Sequence, residues 1–337
     1  ETPIKEKNIL KVGLSLYWIC LLMIPIQSYA EPIDLQQLVN DVHKEFASNR
    51  SGKNPDYIPA LAAVDPNLFA ISIVTADGKK YSAGDIKHVF SIQSIGKAFN
   101  LAALMNQQGE QVVVDKIGVN ATGLPFSSIM AIELNEERSV NPLVNAGAIA
   151  TVSLIEAKNA KQKWDIIETN LENFTGTDLK VLKDIYQSET DTNVKNQSIA
   201  RLLSNYGRLY DDIEESVDLY TRMCSVGVNT EELAVMGATY ANSGINPITK
   251  KEAVKAEDVP KLLAVMATAG LYDDSGLWLY KVGLPAKSGV GGGIVAVMPG
   301  KYGIAAFSPP VDAAGNSVRA QLAIEAIAKR LNANVFK

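Results

Sequence analysis

Lys287-Ser288-Gly289-Val290-Gly291-Gly292-Gly293-Ile294-Val295-Ala296-Val297-Met298, continuing through Pro299-Gly300-Lys301 into residues 302–307, is the stretch whose reading decides the fold. Residues 292–298 and 302–307 are short apolar runs joined by a Pro-Gly turn, which predicts two antiparallel strands. A second hairpin lies far upstream, where residues 68–74 turn through Ala76-Asp77-Gly78 into residues 79–83, an Asp-Gly turn between strand-like runs. Outside these pairs come helices. Ile33, Leu35, Leu38, Val39, Val42 and Phe46 fall at near-helical spacing over residues 32–47, and a closing helix is expected over residues 314–331.

The middle of the chain has another texture. From about Ser94 to Ala269 helical stretches are broken by Gly, Asn and Asp, including residues 141–157, 196–206, 216–225 and 229–241. The last of these opens on Asn229 with Glu232 three residues on, the signature of a reciprocal N-terminal cap. This order predicts an α/β protein of the α+β kind: one antiparallel sheet built from both chain ends, flanked by the terminal helices, with a mainly helical lobe inserted between. Residues 31–93 and 270–337 would form the discontinuous sheet lobe and residues 94–269 the helical lobe. A cleft between the two is where a ligand would sit.

Composition narrows the function. The 337 residues are 47% hydrophobic and 20% charged, with a formal net charge of −5. Acids and bases are mixed along the chain, so it has no basic stripe to displace phosphate counterions and no nucleic-acid partner is expected. Two histidines, His43 and His88, and two cysteines, Cys20 and Cys224, are too few for a histidine- or thiolate-rich centre, so no metal is expected. Lys5, Lys7 and Lys11 precede an uncharged apolar run over residues 12–26 and then Ser28-Tyr29-Ala30. The run is shorter than the roughly 20 residues that span a bilayer, and a small-x-small triplet follows it, so residues 1–30 are expected to be a signal peptide cleaved after Ala30. A periplasmic or secreted protein with no stable membrane anchor would result. Cleavage would leave Cys224 without a disulfide partner.

Ser94-Ile95-Gly96-Lys97 is the Ser-x-x-Lys of this chain, opening a run in which Ile95, Ala98, Phe99, Ala102 and Met105 repeat at helical spacing. Serine and lysine then share a helix face, and a desolvated lysine takes a hydroxyl proton once its own pKa is lowered. Unpaired N–H groups at a helix start also favour the oxyanion that forms during attack on a carbonyl. Both residues are common, and alone the motif is weak. Lys287-Ser288-Gly289 strengthens it, because a Lys-Ser/Thr-Gly triplet on a sheet edge accompanies Ser-x-x-Lys in penicillin-recognising serine enzymes. A second cation there would help keep Lys97 neutral. No Gly-x-Ser-x-Gly elbow surrounds Ser94, and a Ser-His-Asp triad is disfavoured.

Further segments widen the comparison: Asp56-Tyr57-Ile58-Pro59, Asn141-Pro142-Leu143-Val144-Asn145-Ala146-Gly147-Ala148, Tyr186-Gln187-Ser188-Glu189, Tyr220-Thr221-Arg222-Met223-Cys224-Ser225, Gly270-Leu271-Tyr272-Asp273-Asp274-Ser275-Gly276 and Pro285-Ala286-Lys287-Ser288-Gly289-Val290. Together they resemble the glutaminase family over nearly all of the chain after residue 30. The resemblance implies a serine β-lactamase-like fold, hydrolysis of L-glutamine to L-glutamate and ammonia, no cofactor, and a homo-oligomer, tetramer or dimer. It implies Ser94 as nucleophile and Lys97 as its activating partner, with Tyr57, Asn145, Glu189, Asn196, Tyr220, Tyr272 and Val290 around the substrate and Lys287 in support. Chemistry agrees: Glu189 is the natural partner of the substrate ammonium, and Asn145 and Asn196 donate amide hydrogens to its carboxylate. Tyr272 and Tyr57 would relay protons with Lys97, and backbone N–H groups of Ser94 and Val290 would hold the oxyanion. Two departures from the family pattern, Lys195 where arginine is expected and Ala121-Thr122-Gly123 in place of Pro-Ser-Gly, are expected to lie away from this chemistry. The rival readings are a penicillin-recognising hydrolase, which would share Ser94, Lys97 and Lys287, and a glutamine-binding protein without turnover.

Overall fold

The expected strand pair 292–298 and 302–307 exists, one residue shorter at its start. The computed structural model describes residues 33–337, so the expected signal peptide lies outside the described residues. In chain order the strands are β1 (Ala70–Thr75), β2 (Lys80–Gly84), β3 (Phe90–Ser91), β4 (Lys180–Val181), β5 (Val226–Val228), β6 (Ala286–Ser288), β7 (Gly293–Met298) and β8 (Tyr302–Phe307). Five of them form one antiparallel sheet in the order β2-β1-β8-β7-β6, so the first and last parts of the chain interleave. Registers Val74↔Lys80 and Met298↔Tyr302 close the two hairpins. Gly78 and Gly300 take positive φ at their turns, a conformation that glycine adopts without penalty.

Alternation along the strands divides the core. Ile71, Ile73, Ile294, Ala296, Ile304 and Ala306 face the opening helix Leu35–Phe46 and the closing helix Val318–Arg330. Val74, Val295, Val297, Ala305 and Phe307 point to the other face and join the larger core of the helical region. The terminal helices therefore cover one face only. The second face is covered by Thr230–Ala241 from the middle of the chain, whose expected reciprocal cap by Asn229 and Glu232 is present. Strands buried on both sides read as continuous apolar runs, and residues 293–298 and 302–307 do so. The closing helix starts at Val318 and not near 314. Asp312 Oδ1 accepts the N–H groups of Ala314, Gly315 and Asn316, and this turn precedes the Ser317 cap.

A second sheet, β3-β5-β4, was not anticipated, since its strands are two or three residues long. It sets the approach to Ser94: beyond β3 the Ile92 N–H donates to Val226 O and the Gln93 N–H to Cys224 O. The helix Ile95–Gln108 then runs through the core, and every residue from Ile95 to Met105 is buried.

The helix Thr230–Ala241 lies on β8 at backbone contact. A Cβ on Gly303 would meet Ala234 O and Ala238 N, both at 2.2 Å, and one on Gly237 would come within 3.1 Å of Gly303 Cα. Backbone atoms cannot swing aside as side chains do. Gly303→Ala is expected to destabilise by about 3 kcal/mol, the scale of a well-packed interior forced apart, read as a lower urea midpoint. An unchanged midpoint would show that the helix and strand separate freely.

Candidate active site

Ser94 caps the helix Ile95–Gln108, but its hydroxyl makes no capping hydrogen bond. The bland reading of a serine at a helix start is thereby excluded. The residue before it, Gln93, holds φ at +50°, and Tyr272 holds φ at +55°. Non-glycine residues pay in strain for left-handed backbone, and such residues cluster where a side chain must be aimed. Gln93 aims inward: its Nε2 donates to Ser91 Oγ and Glu189 Oε1.

Lys97 lies one turn along the same helix, 1% exposed. Its ammonium donates to Asn145 Oδ1 at 2.6 Å and lies 5.7 Å from the Tyr220 ring and 5.8 Å from the Phe126 ring. Tyr220 Oη also donates to Asn145 Oδ1, and Asn145 Nδ2 donates to Asn196 Oδ1 at 2.9 Å. One asparagine thus ties Lys97 to the neighbouring helices. Burial brings the Lys97 pKa down to about 8, against the smaller opposing pull of Cys224 and Glu189.

Lys287 on the edge strand β6 is fully buried, donating to the carbonyls of Gly270 and Ser288 with its Nζ 4.3 Å from the centre of the Tyr272 ring. Burial, and then the charge of Lys97, hold its pKa well below the ordinary lysine value. The expectation that a second cation keeps Lys97 neutral is corrected: desolvation lowers the Lys97 pKa, and the Lys97 charge acts on Lys287 instead. The Tyr272 phenol donates to Ser288 O at 3.4 Å, and the Ser94 side chain and the Val290 N–H are near enough to favour its ionised form. Its pKa is raised, burial outweighing those contacts. Ser94, Tyr272, Val290 and Lys287 are therefore brought together.

A cleft of about 360 Å³ opens beside this group, lined by Tyr57, Phe126, Asn145, Glu189, Lys195 and Asn196 among others. Glu189 is buried, and desolvation raises its pKa to about 7, while the Gln93 hydrogen bond and the Lys97 charge act against the rise. Tyr57 is 53% exposed and forms part of the cleft wall, unlike the buried Tyr272.

Four residues of this region escape the reading of the residues. Gln93 makes its contribution through a strained backbone that no spacing reveals. Phe126 packs on Tyr272 with ring centres 4.6 Å apart and the rings tilted by 41°, and it lines the cleft from a loop without periodicity. Cys224 is buried beside Tyr220 and near Glu189 and Lys97, its thiol pushed up to about 12 by burial. Lys195 lines the cleft, and the expectation that this departure lies away from the chemistry is corrected. The histidines are elsewhere: His43 Nε2 pairs with Phe69 O, and His88 stacks on Phe307.

Lys97 has a consequence for stability. A lysine at about 8 in the folded chain and near 10.5 when unfolded binds fewer protons folded than unfolded between those values, so its stabilising contribution is complete above 10.5 and lost as pH falls toward 8. The loss is on the order of 3 kcal/mol. Denaturant titrations should show the wild type losing more stability than Lys97→Met as pH is lowered from about 10.5 to 8. Parallel curves for the two proteins would contradict the depressed amine.

The chain is similar to known proteins. The family model Glutaminase matches residues 52–336. The chain is 55% identical over 310 residues to a glutaminase of Colwellia psychrerythraea, covering 92% of this chain and 99% of that one. It is 51% identical to glutaminase 1 of Escherichia coli K12, covering 90% and 98%. A solved structure of a probable glutaminase superposes with a TM-score of 0.89 at 50% identity, covering 90% of this chain and all of that one. Mglu in its glutamate form gives 0.85 at 34% identity, covering 90% and 70%. With the family model spanning most of its length and the Colwellia and Escherichia coli glutaminases matched nearly end to end, the chain belongs to the glutaminase family.

Proposed function

We propose that this chain hydrolyses L-glutamine to L-glutamate and ammonia through an acyl-enzyme on Ser94. The observation that carries the reading is the Lys97 amine, buried and held by Asn145 one helical turn from the Ser94 hydroxyl, beside a cleft that contains Glu189. The relatives' name supports it, as does a related protein solved in its glutamate form.

In this mechanism neutral Lys97 accepts the Ser94 proton as Oγ bonds to the side-chain carboxamide carbon. Backbone N–H groups of Ser94 and Val290 hold the oxyanion. Tyr272 moves protons between Ser94 and Lys97, with Tyr57 contributing from the cleft wall. The C–N bond breaks, ammonia leaves with a returned proton, and water then cleaves the γ-glutamyl ester and restores the hydroxyl. Ionised Glu189 pairs with the substrate ammonium, and the amides of Asn145 and Asn196 donate to its carboxylate, with Tyr220 bracing Asn145. Lys287 supports Tyr272 from β6. No cofactor takes part.

Ser94→Ala is expected to abolish ammonia release while glutamate still binds within about threefold of the wild-type Kd, whereas Glu189→Gln weakens that binding about a hundredfold through loss of a buried counter-charge. Calorimetry with glutamate checks both. Turnover by Ser94→Ala, or unaltered affinity in Glu189→Gln, would refute the assigned roles.

The pattern of residues 1–30 supports export to the periplasm or medium, and the family resemblance supports a homo-oligomer, tetramer or dimer. Export should yield a mature N-terminus at Glu31 and light scattering a mass at least twice that of one chain. An N-terminus still carrying residues 12–26, or a monomeric mass, would set either proposal aside.

A further inference from the structure

Only two of the residues lining the cleft carry charge: Glu189 and Lys195. They are brought to it by consecutive helices, Lys183–Thr192 and Val194–Asn205, joined at Asn193. Lys195 occupies the first turn of its helix, where the positive end of the helix dipole makes a cation locally unfavourable. No local contact compensates. Among the described residues its ammonium has no carboxylate within 4 Å. A residue that breaks a local rule without a structural return is a mark of a functional position.

The amino acid that the proposed reading places in this cleft is itself a pair of opposite charges on one carbon. Glu189 answers the ammonium. Asn145 and Asn196 offer the carboxylate only neutral dipoles, and one amide N–H of Asn145 is already given to Asn196 Oδ1. The carboxylate's charge is left for Lys195, the sequence neighbour of Asn196. We infer that Lys195 is a specificity-determining residue whose ammonium faces the substrate α-carboxylate and, with Glu189, makes the cleft selective for the zwitterion. This inference rests on the glutamine reading and deepens it.

The test compares the wild type with Lys195→Arg, Lys195→Met and Lys195→Glu in steady-state ammonia release from L-glutamine, at low ionic strength and in about 1 M NaCl. At low salt Lys195→Met should raise KM about fivefold with kcat within about twofold, the size of a solvent-exposed ion pair and the split expected of uniform binding. Lys195→Glu should raise KM further, and Lys195→Arg should stay near the wild type. Concentrated salt should bring the Lys195→Met and wild-type values together. The acid limb of kcat/KM should stay in place, because Lys195 is not among the groups that shift Lys97 or Glu189.

A KM unchanged in all variants, an equal rise for Met and Glu, or a rise that salt leaves intact would overturn the inference. A displaced acid limb would also overturn it, by assigning Lys195 to the ionisation of Lys97 or Glu189. The two levels fail differently: a wild type that releases no ammonia sinks the glutamine reading and the inference with it, while an active wild type with flat variants sinks the inference alone.

Discussion

The site depends on an amine kept out of water without an acid beside it. Lys97 is buried in the helix Ile95–Gln108, and its direct hydrogen-bond partner is a neutral amide oxygen. A carboxylate in that place would form an ion pair, hold the proton and leave no base. The asparagine instead satisfies the amine's hydrogen bonding while leaving desolvation to lower its pKa. Glu189, whose charge favours the protonated form of Lys97, pulls the other way but is itself pushed up to about 7 by burial. The two groups are tuned by the same dry surroundings in opposite senses.

That arrangement requires a frame that does not relax. The strained backbones of Gln93 and Tyr272 are fixed from outside: Gln93 through the pairing of its N–H with Cys224 O, and Tyr272 through its carbonyl, which accepts from Ser275 Oγ. Gly289 and Gly291 let the chain beyond β6 pass against Ile92, Gln93 and Ser91, since a Cβ at either position would reach a backbone oxygen at 2.8 or 2.7 Å. The sheet edge and the nucleophile helix are pressed together at the place where the chemistry is proposed. Leu271 to Val290 then share one small apolar cluster with Ile58 and Leu61 only through Tyr272 and Val290.

How much of this was legible in the sequence follows from the range of each interaction. The hairpins, the terminal helices and the Asn229 cap depend on neighbours within a few residues, and local pattern reveals them. Ser94 and Lys97 could be paired because a helix converts a spacing of three into a shared face. Their link to Lys287 drew on a motif, and the grouping of Glu189, Asn145, Asn196 and Tyr220 on a family resemblance, because no periodicity joins Asn145 to Asn196 and Tyr220, 51 and 75 positions away. The small sheet β3-β5-β4 was hidden by strands too short to show alternation. Gln93 and Phe126 were hidden for another reason: one acts through a backbone angle and the other from a loop.

The nucleophile helix is buried all round, so its movement would require repacking on every side. The opposite boundary is different. Tyr57 lies between the Lys53↔Val311 bridge and the Ala60 N–H that donates to Ser188 Oγ, and more than half of it faces solvent. Traffic into and out of the cleft therefore has a natural direction. Displacing the Tyr57 side chain alone sacrifices few buried contacts, whereas Ile58 and Leu61 beside it stay packed on Tyr272 and Val290 and the reactive groups remain clamped in the interior. The molecule keeps its tools fixed and leaves its door on the lightly fastened side.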